Sequence, residues 1–124
     1  MELIIGGAYQ GKLDYAREKL NVNTYFECSE DSTEVDFSKG CVTHLERFAL
    51  ACVRKGVSPA EAMKERCTEW ADCVLIANDI SMGVVPMEAE IRAWREESGR
   101  MLNYLSREAV HVHRLFLGIG QVIK

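Results

Sequence analysis

Hydrophobic positions along the chain change their period several times, and each change predicts a change of element. Leu3-Ile4-Ile5 is a short apolar run stopped by Gly6-Gly7, the pattern of a buried strand entering a tight turn. From Lys12 the apolar positions Leu13, Ala16 and Leu20 recur at helical spacing, so the chain opens as strand, glycine turn and helix. Thr24 to Cys28 is rich in β-branched and aromatic residues and predicts a second strand; Ser29 to Thr33 is polar and predicts a loop. Val35-Asp36-Phe37 predicts a third, very short strand. Val42, Leu45, Phe48, Ala49, Cys52 and Val53 share one helical face, with Gly56 as the stop. Ser58-Pro59-Ala60-Glu61 then combines a capping Ser, a Pro at the first helical position and a Glu three residues after the cap. The helix it begins carries Ala62, Met63, Arg66, Cys67 and Trp70.

The second half continues the alternation. Cys73 to Ala77 is unbroken apolar sequence, as in a strand covered on both faces, and a polar loop from Asn78 to Gly83 follows. Pro86 is expected to open the longest helix, running to about Glu108 with Ile91, Trp94, Met101, Leu102 and Leu105 inward. Val110 to Leu117 predicts another strand, Gly118-Ile119-Gly120 a turn, and Gln121 to Ile123 a last short strand. Strands alternating with helices predict an α/β protein: a mainly parallel sheet with flanking helices, three layers α/β/α, in a single domain spanning 1–124.

Composition narrows the function classes. A chain of 124 residues that is 48% hydrophobic can bury a core without disulfides or metal. A net charge of −4 provides no basic stripe for nucleic-acid phosphates, so no nucleic-acid partner is expected. The apolar runs are too short to span a bilayer and no basic leader precedes one, so the expected protein is cytoplasmic, neither secreted nor membrane-spanning. Five cysteines with no C-x-x-C pair read as reduced thiols packing as small hydrophobes.

Candidate chemistry begins at the first turn. Gly6-Gly7-Ala8-Tyr9-Gln10-Gly11-Lys12-Leu13 fits G-x-x-x-x-G-K, the pattern in which backbone N–H groups wrap phosphates and the Lys reaches the outer ones. It departs from a full phosphate loop at Leu13, where a Ser or Thr hydroxyl would help hold Mg²⁺. Asp79 leaves the buried strand at its carboxyl end, where open α/β sheets place ligands, and is the candidate to meet metal or polarise a nucleophile. Asp36 is the second candidate metal-side acid, holding the ion through water in the same layer. His44 lies beside the apolar helix face and reads as a packing or surface residue. His111 and His113 alternate on one face of a strand, a metal-compatible spacing without a third ligand nearby, and read as an exposed sheet face. Gly118-x-Gly120 lacks a further glycine and a following helix, and counts only as a turn.

Several segments together resemble the bifunctional adenosylcobinamide kinase/adenosylcobinamide-phosphate guanylyltransferases. Asn78-Asp-Ile-Ser-Met-Gly-Val-Val-Pro86 is similar to that family's N-E-V-G-x-G-I-V-P; Arg92, Arg95, Ser98-Gly99-Arg100 and Asn103 to its arginine-rich A-G-R-x-N helix; and Leu117 to Lys124 to its closing G-x-P-x-x-x-K. Gly6 to Lys12 matches its opening G-G-x-x-x-G-K, and Val35-Asp36 with Thr43-His44-Leu45 resembles D-C-L-T-x-W-L-S-N-L. The resemblance covers most of the chain and implies a RecA-like P-loop domain, a homo-oligomer, and a cytoplasmic nucleotide-binding protein of cobalamin biosynthesis using GTP or ATP with Mg²⁺. It implies phosphate contacts from Gly6 to Leu13, catalysis by Lys12 and Asp79, metal ligation by Asp36 and Asp79, and a cobinamide corrinoid as acceptor. The family's Glu is the shorter Asp79 here. Its R-I-x-x-H-x-x-x-R-P segment, whose His accepts GMP, has only the Ser29 to Thr33 loop in its place, and His44 aligns with an Asn. The expectation is therefore a weak kinase that has lost guanylyl transfer, or a non-catalytic relative that binds nucleotide or corrinoid and acts through protein contacts.

Overall fold

In the computed structural model, which describes residues 1–8, 10–80 and 88–124, strand β1 (Glu2–Gly6) lies in the middle of a six-stranded sheet. The order is β2-β3-β4-β1-β5-β6, built from β2 (Phe26–Glu27), β3 (Cys41–Thr43), β4 (Val74–Asn78), β5 (His111–Phe116) and β6 (Ile119–Val122). Every pairing is parallel except β5 with β6. In β1 successive side chains point to opposite faces, and both faces are apolar, as a central parallel strand requires. Leu3 joins Val42, Leu75, Ala77 and Val112 in one core; Ile4 joins Cys41, Val74, Ile76 and Leu115 in the other.

Helices cover both faces unequally. The Leu3 face packs against α2 (Leu45–Arg54), α3 (Pro59–Glu65) and α5 (Ala89–Glu108) through Leu45, Phe48, Ala49, Cys52, Met63, Met101 and Leu105. The Ile4 face packs against α1 (Lys12–Leu20), whose Ala16 is buried with Leu13, Tyr15 and Leu20 around it. The molecule is thus an α/β protein with a mostly parallel sheet, as the alternation of periods predicts.

Four local expectations need correction. Val35 to Phe37 is not a strand: Asp36 accepts hydrogen bonds from the N–H and hydroxyl of Ser38 and caps a single 3-10 turn, Phe37–Lys39. The third strand is instead Cys41–Thr43, so Val42, which shares the helical spacing of Leu45, belongs to the sheet and α2 begins only at Leu45. Three residues are too few to display a period of two. The helix begun by the Ser58 cap, whose hydroxyl accepts from Glu61 N–H at 3.2 Å, stops at Glu65 and resumes as the one-turn α4 (Cys67–Trp70). Finally, the hairpin turn is Leu117-Gly118, with φ of 52° and 76°, a pair of left-handed residues suited to the twist of the flanking strands. Ile119 and Gly120 therefore sit in β6. Pro86, expected to open α5, lies outside the described residues, and α5 is described from Ala89.

Candidate functional site

All the parallel strands end at the same side, and the register places the exit of β1 level with those of its neighbours: Gly6 pairs with Asn78 of β4 and Leu115 of β5. On this side, after Gly6, the chain turns through Gly7, Ala8, Gln10 and Gly11 into α1; Tyr9 lies outside the described residues. Gly11 caps α1 at φ 79°, a left-handed conformation that costs glycine nothing, and this sets the direction of the helix. The turn is clasped from outside, since Gln10 carbonyl accepts from Gly118 N–H at 3.1 Å and Gln10 Oε1 accepts from Leu117 N–H. The β5–β6 hairpin and the candidate phosphate loop are therefore one packed unit.

Lys12 is only 8% exposed, and its Nζ donates to the Gly7 carbonyl at 2.6 Å, so it bends back over the loop it terminates. Burial pushes its ammonium below the usual lysine range, and the nearby Glu46 carboxylate acts in the opposite direction. A cleft of about 390 Å³ opens beside it. Ala8, Gln10, Gly11, Lys12 and Leu13 form one wall, Glu27, Thr43, His44 and Arg47 the other, with Ile76 and Asn78 also lining it.

The second wall holds polar groups that the sequence pattern left aside. Glu46 is 4% exposed; its Oε1 accepts from Asn78 N–H at 2.8 Å and its Oε2 lies 3.0 Å from His44 Nδ1. His44 Nε2 lies 3.4 Å from Glu27 Oε1, and Arg47 approaches the same oxygen at 3.8 Å. His44 has φ 58° at the N-cap of α2, a conformation a non-glycine residue holds only when its surroundings fix it. Trp94 of α5 fixes them in part, its indole N–H donating to the Glu46 carbonyl at 2.6 Å. Expected to be a packing or surface residue, His44 instead stands between two carboxylates in the cleft. The legible signal was Glu46, an acid one helical turn before Ala49 and Leu50 on a buried stripe, where a charge needs partners.

The two acids proposed from the sequence are not brought together. Asp36 precedes β3, whose first residue Cys41 pairs with Val74, while Val74 also pairs with Glu2 at the start of β1. Asp36 is thus at the amino end of the sheet, opposite the Lys12 cleft, and cannot serve there as a metal-side acid. Its carboxyl is held below the usual range by the Ser38 hydroxyl and N–H it caps. Asp79 is at the carboxyl end of β4 as expected, its N–H donating to Gly6 carbonyl at 2.8 Å. Yet it lines a separate cleft of about 180 Å³ on the α5 side, together with Arg95, Ser98 and Asn103. Ser98 there is 1% exposed, and its hydroxyl has no hydrogen-bond partner among the described residues. Leu13 meanwhile presents hydrocarbon to the Lys12 cleft where a hydroxyl would be needed. The donors assigned to Mg²⁺ do not form one coordination set, so this structure does not fit the ion as the resemblance would place it.

No protein-family model matches this sequence, and no curated protein matches it significantly.

Proposed function

We propose that the chain is a P-loop nucleotide-binding protein of RecA-like architecture that serves cobalamin biosynthesis, related to adenosylcobinamide kinase and without guanylyl transfer. The cobalamin part of this reading rests on the sequence resemblance, and one observation carries its nucleotide-binding part: a glycine turn at the carboxyl end of the central parallel strand delivers Lys12 to the first residue of a helix that borders a cleft. In that position the loop amides and the helix N-terminus favour an anion, and Lys12 Nζ exchanges the Gly7 carbonyl for a phosphate oxygen. Glu27 and Asp14, also lining the cleft, offset the charge of Lys12 and Arg47. The phosphates are accordingly held by amides and by Lys12 rather than by a broad positive field. Asp79, which lines the α5-side cleft together with Ser98, is the group to meet the hydroxyl of an acceptor such as a cobinamide corrinoid.

The second reading, a non-catalytic nucleotide- or corrinoid-binding relative acting through protein contacts, is favoured by Leu13 and by the separation of Asp36 from the loop. Calorimetric titration with GTP and ATP tests both. Micromolar binding that Lys12→Ala removes, with the variant's circular dichroism unchanged, supports a working phosphate loop. Absence of binding at millimolar nucleotide overturns it. Affinity that rises strongly with Mg²⁺ favours the kinase, and affinity indifferent to Mg²⁺ favours the non-catalytic relative.

A further inference from the structure

At the amino end of the sheet, on the face covered by α1, three metal-ligating side chains converge. His111 and His113 share one face of β5, and parallel pairing sets Glu2 of β1 opposite His111. Glu2 Oε2 lies 2.9 Å from His111 Nδ1 and Glu2 Oε1 lies 2.9 Å from His113 Nε2, with the three ligand atoms all within 4.8 Å of one another. The third ligand that the local sequence lacks is supplied across the sheet by a residue 109 positions away.

We propose that Glu2, His111 and His113 form a binding site for a divalent transition metal of the Zn²⁺ class. Two imidazoles and one carboxylate suit Zn²⁺, Co²⁺ or Ni²⁺, whereas Mg²⁺ and Ca²⁺ prefer oxygen ligands. Bonds of about 2.0–2.2 Å in a tetrahedral arrangement separate ligand atoms by about 3.4 Å, so a small spreading of the present contacts admits the ion. The set is also braced as metal-binding histidines usually are. The other ring nitrogen of His113, Nδ1, lies 2.9 Å from the Tyr15 hydroxyl, and the two rings meet edge to face. Space for Tyr15 exists only because residue 120 is glycine: a Cβ there would fall 2.2 Å from the Tyr15 ring. His113 is 5% exposed and rigidly seated, while the His111 side chain is half exposed, leaving an approach for the ion and a fourth, open position for water.

Binding moves protons without any external donor. Without metal, each imidazole shares a proton with Glu2. On binding, the neutral His113 carries its proton on Nδ1, donating to Tyr15 Oη, and the neutral His111 carries its proton on Nε2, so both freed nitrogens and one carboxylate oxygen face the ion.

The test is titration of the purified full-length chain with Zn²⁺ and with Co²⁺, read by calorimetry and by the visible bands of four-coordinate Co²⁺, in a Cys67→Ser background that removes the exposed thiol. One ion per chain, unaffected by excess Mg²⁺, is expected. His111→Ala and Glu2→Gln should abolish tight binding and the metal-induced rise in Tm, and Tyr15→Phe should weaken affinity about tenfold. Because His111 is exposed, its variant keeps its fold, checked by circular dichroism. No binding in the micromolar range, or binding that both ligand variants leave unchanged, overturns the site and leaves the cluster as a hydrogen-bonded brace. Nucleotide binding at Lys12 stands or falls separately, since Glu2 and His111 lie at the opposite end of the sheet from the glycine turn.

Discussion

Lys12 is a charge kept where water barely reaches it, and burial lowers its proton affinity relative to the unfolded chain. Between its folded and unfolded pKa values the unfolded state binds more protons, so this residue's penalty on stability is full at neutral pH and is relieved as pH rises toward the ordinary lysine range. Lys12→Met is expected to raise Tm at neutral pH, flatten the alkaline side of the stability profile and abolish nucleotide binding. Thermal melts across pH, paired with calorimetry, check all three, and a Tm that falls at neutral pH would show the Gly7 contact to outweigh desolvation. The thiols make a second prediction at this scale. Burial pushes Cys28 up to about 12 and Cys41 and Cys52 up to about 11, and Cys73 is buried as well, whereas Cys67 is exposed. One of the five cysteines should react with Ellman's reagent in the native protein and all five in guanidinium chloride. Cys52 and Cys73 were legible as small hydrophobes because they fall in apolar patterns, whereas Cys67, expected to pack in the same way, is exposed; the role of His44 was not legible, because nothing within a few residues announces the Glu27 carboxylate that faces it.

Among the elements, caps and cores predict different responses. Ser58→Ala removes the hydroxyl that accepts Glu61 N–H and should destabilise the protein by about 1 kcal/mol. Leu105→Ala, which empties a fully buried position where α5 meets the sheet, should destabilise it by about 2–5 kcal/mol. Chemical denaturation of the two variants checks the ranking. Long periodic elements were legible: α1, α2, α5 and β4 appear where the spacing of apolar residues places them, to within a few residues. The short ones were not. Cys41–Thr43 becomes a strand because β2 and β4 flank it, and Val35 to Phe37 fails to become one because Ser38 offers Asp36 a local hydrogen bond instead.

At the scale of the whole molecule, α1 covers one sheet face while Phe116, Leu117, Ile119, Val122 and Ile123 expose apolar surface on the β5–β6 hairpin. Edge strands with exposed apolar side chains favour pairing with another chain. Light scattering behind size exclusion should report an oligomer, and Ile119→Lys with Val122→Lys a smaller species; an unchanged mass would assign the contact elsewhere or to none. The same hairpin clasps the Gln10 turn, so the double variant is also expected to weaken nucleotide binding.

The sequence by itself determined the alternation of strands and helices, the burial of β1, the cover of β4 on both faces, and the delivery of Lys12 by a glycine turn into α1. Each is written in spacing between residues that are neighbours in the chain. Tertiary structure alone decided that Asp36 lies at the wrong end of the sheet, that Asp79 faces a separate cleft, that Glu46 and His44 share the cleft of Lys12, and that Glu2 completes a site with His111 and His113. Those outcomes depend on strand order and register, which join residues far apart in sequence and are set by which apolar faces can be buried together.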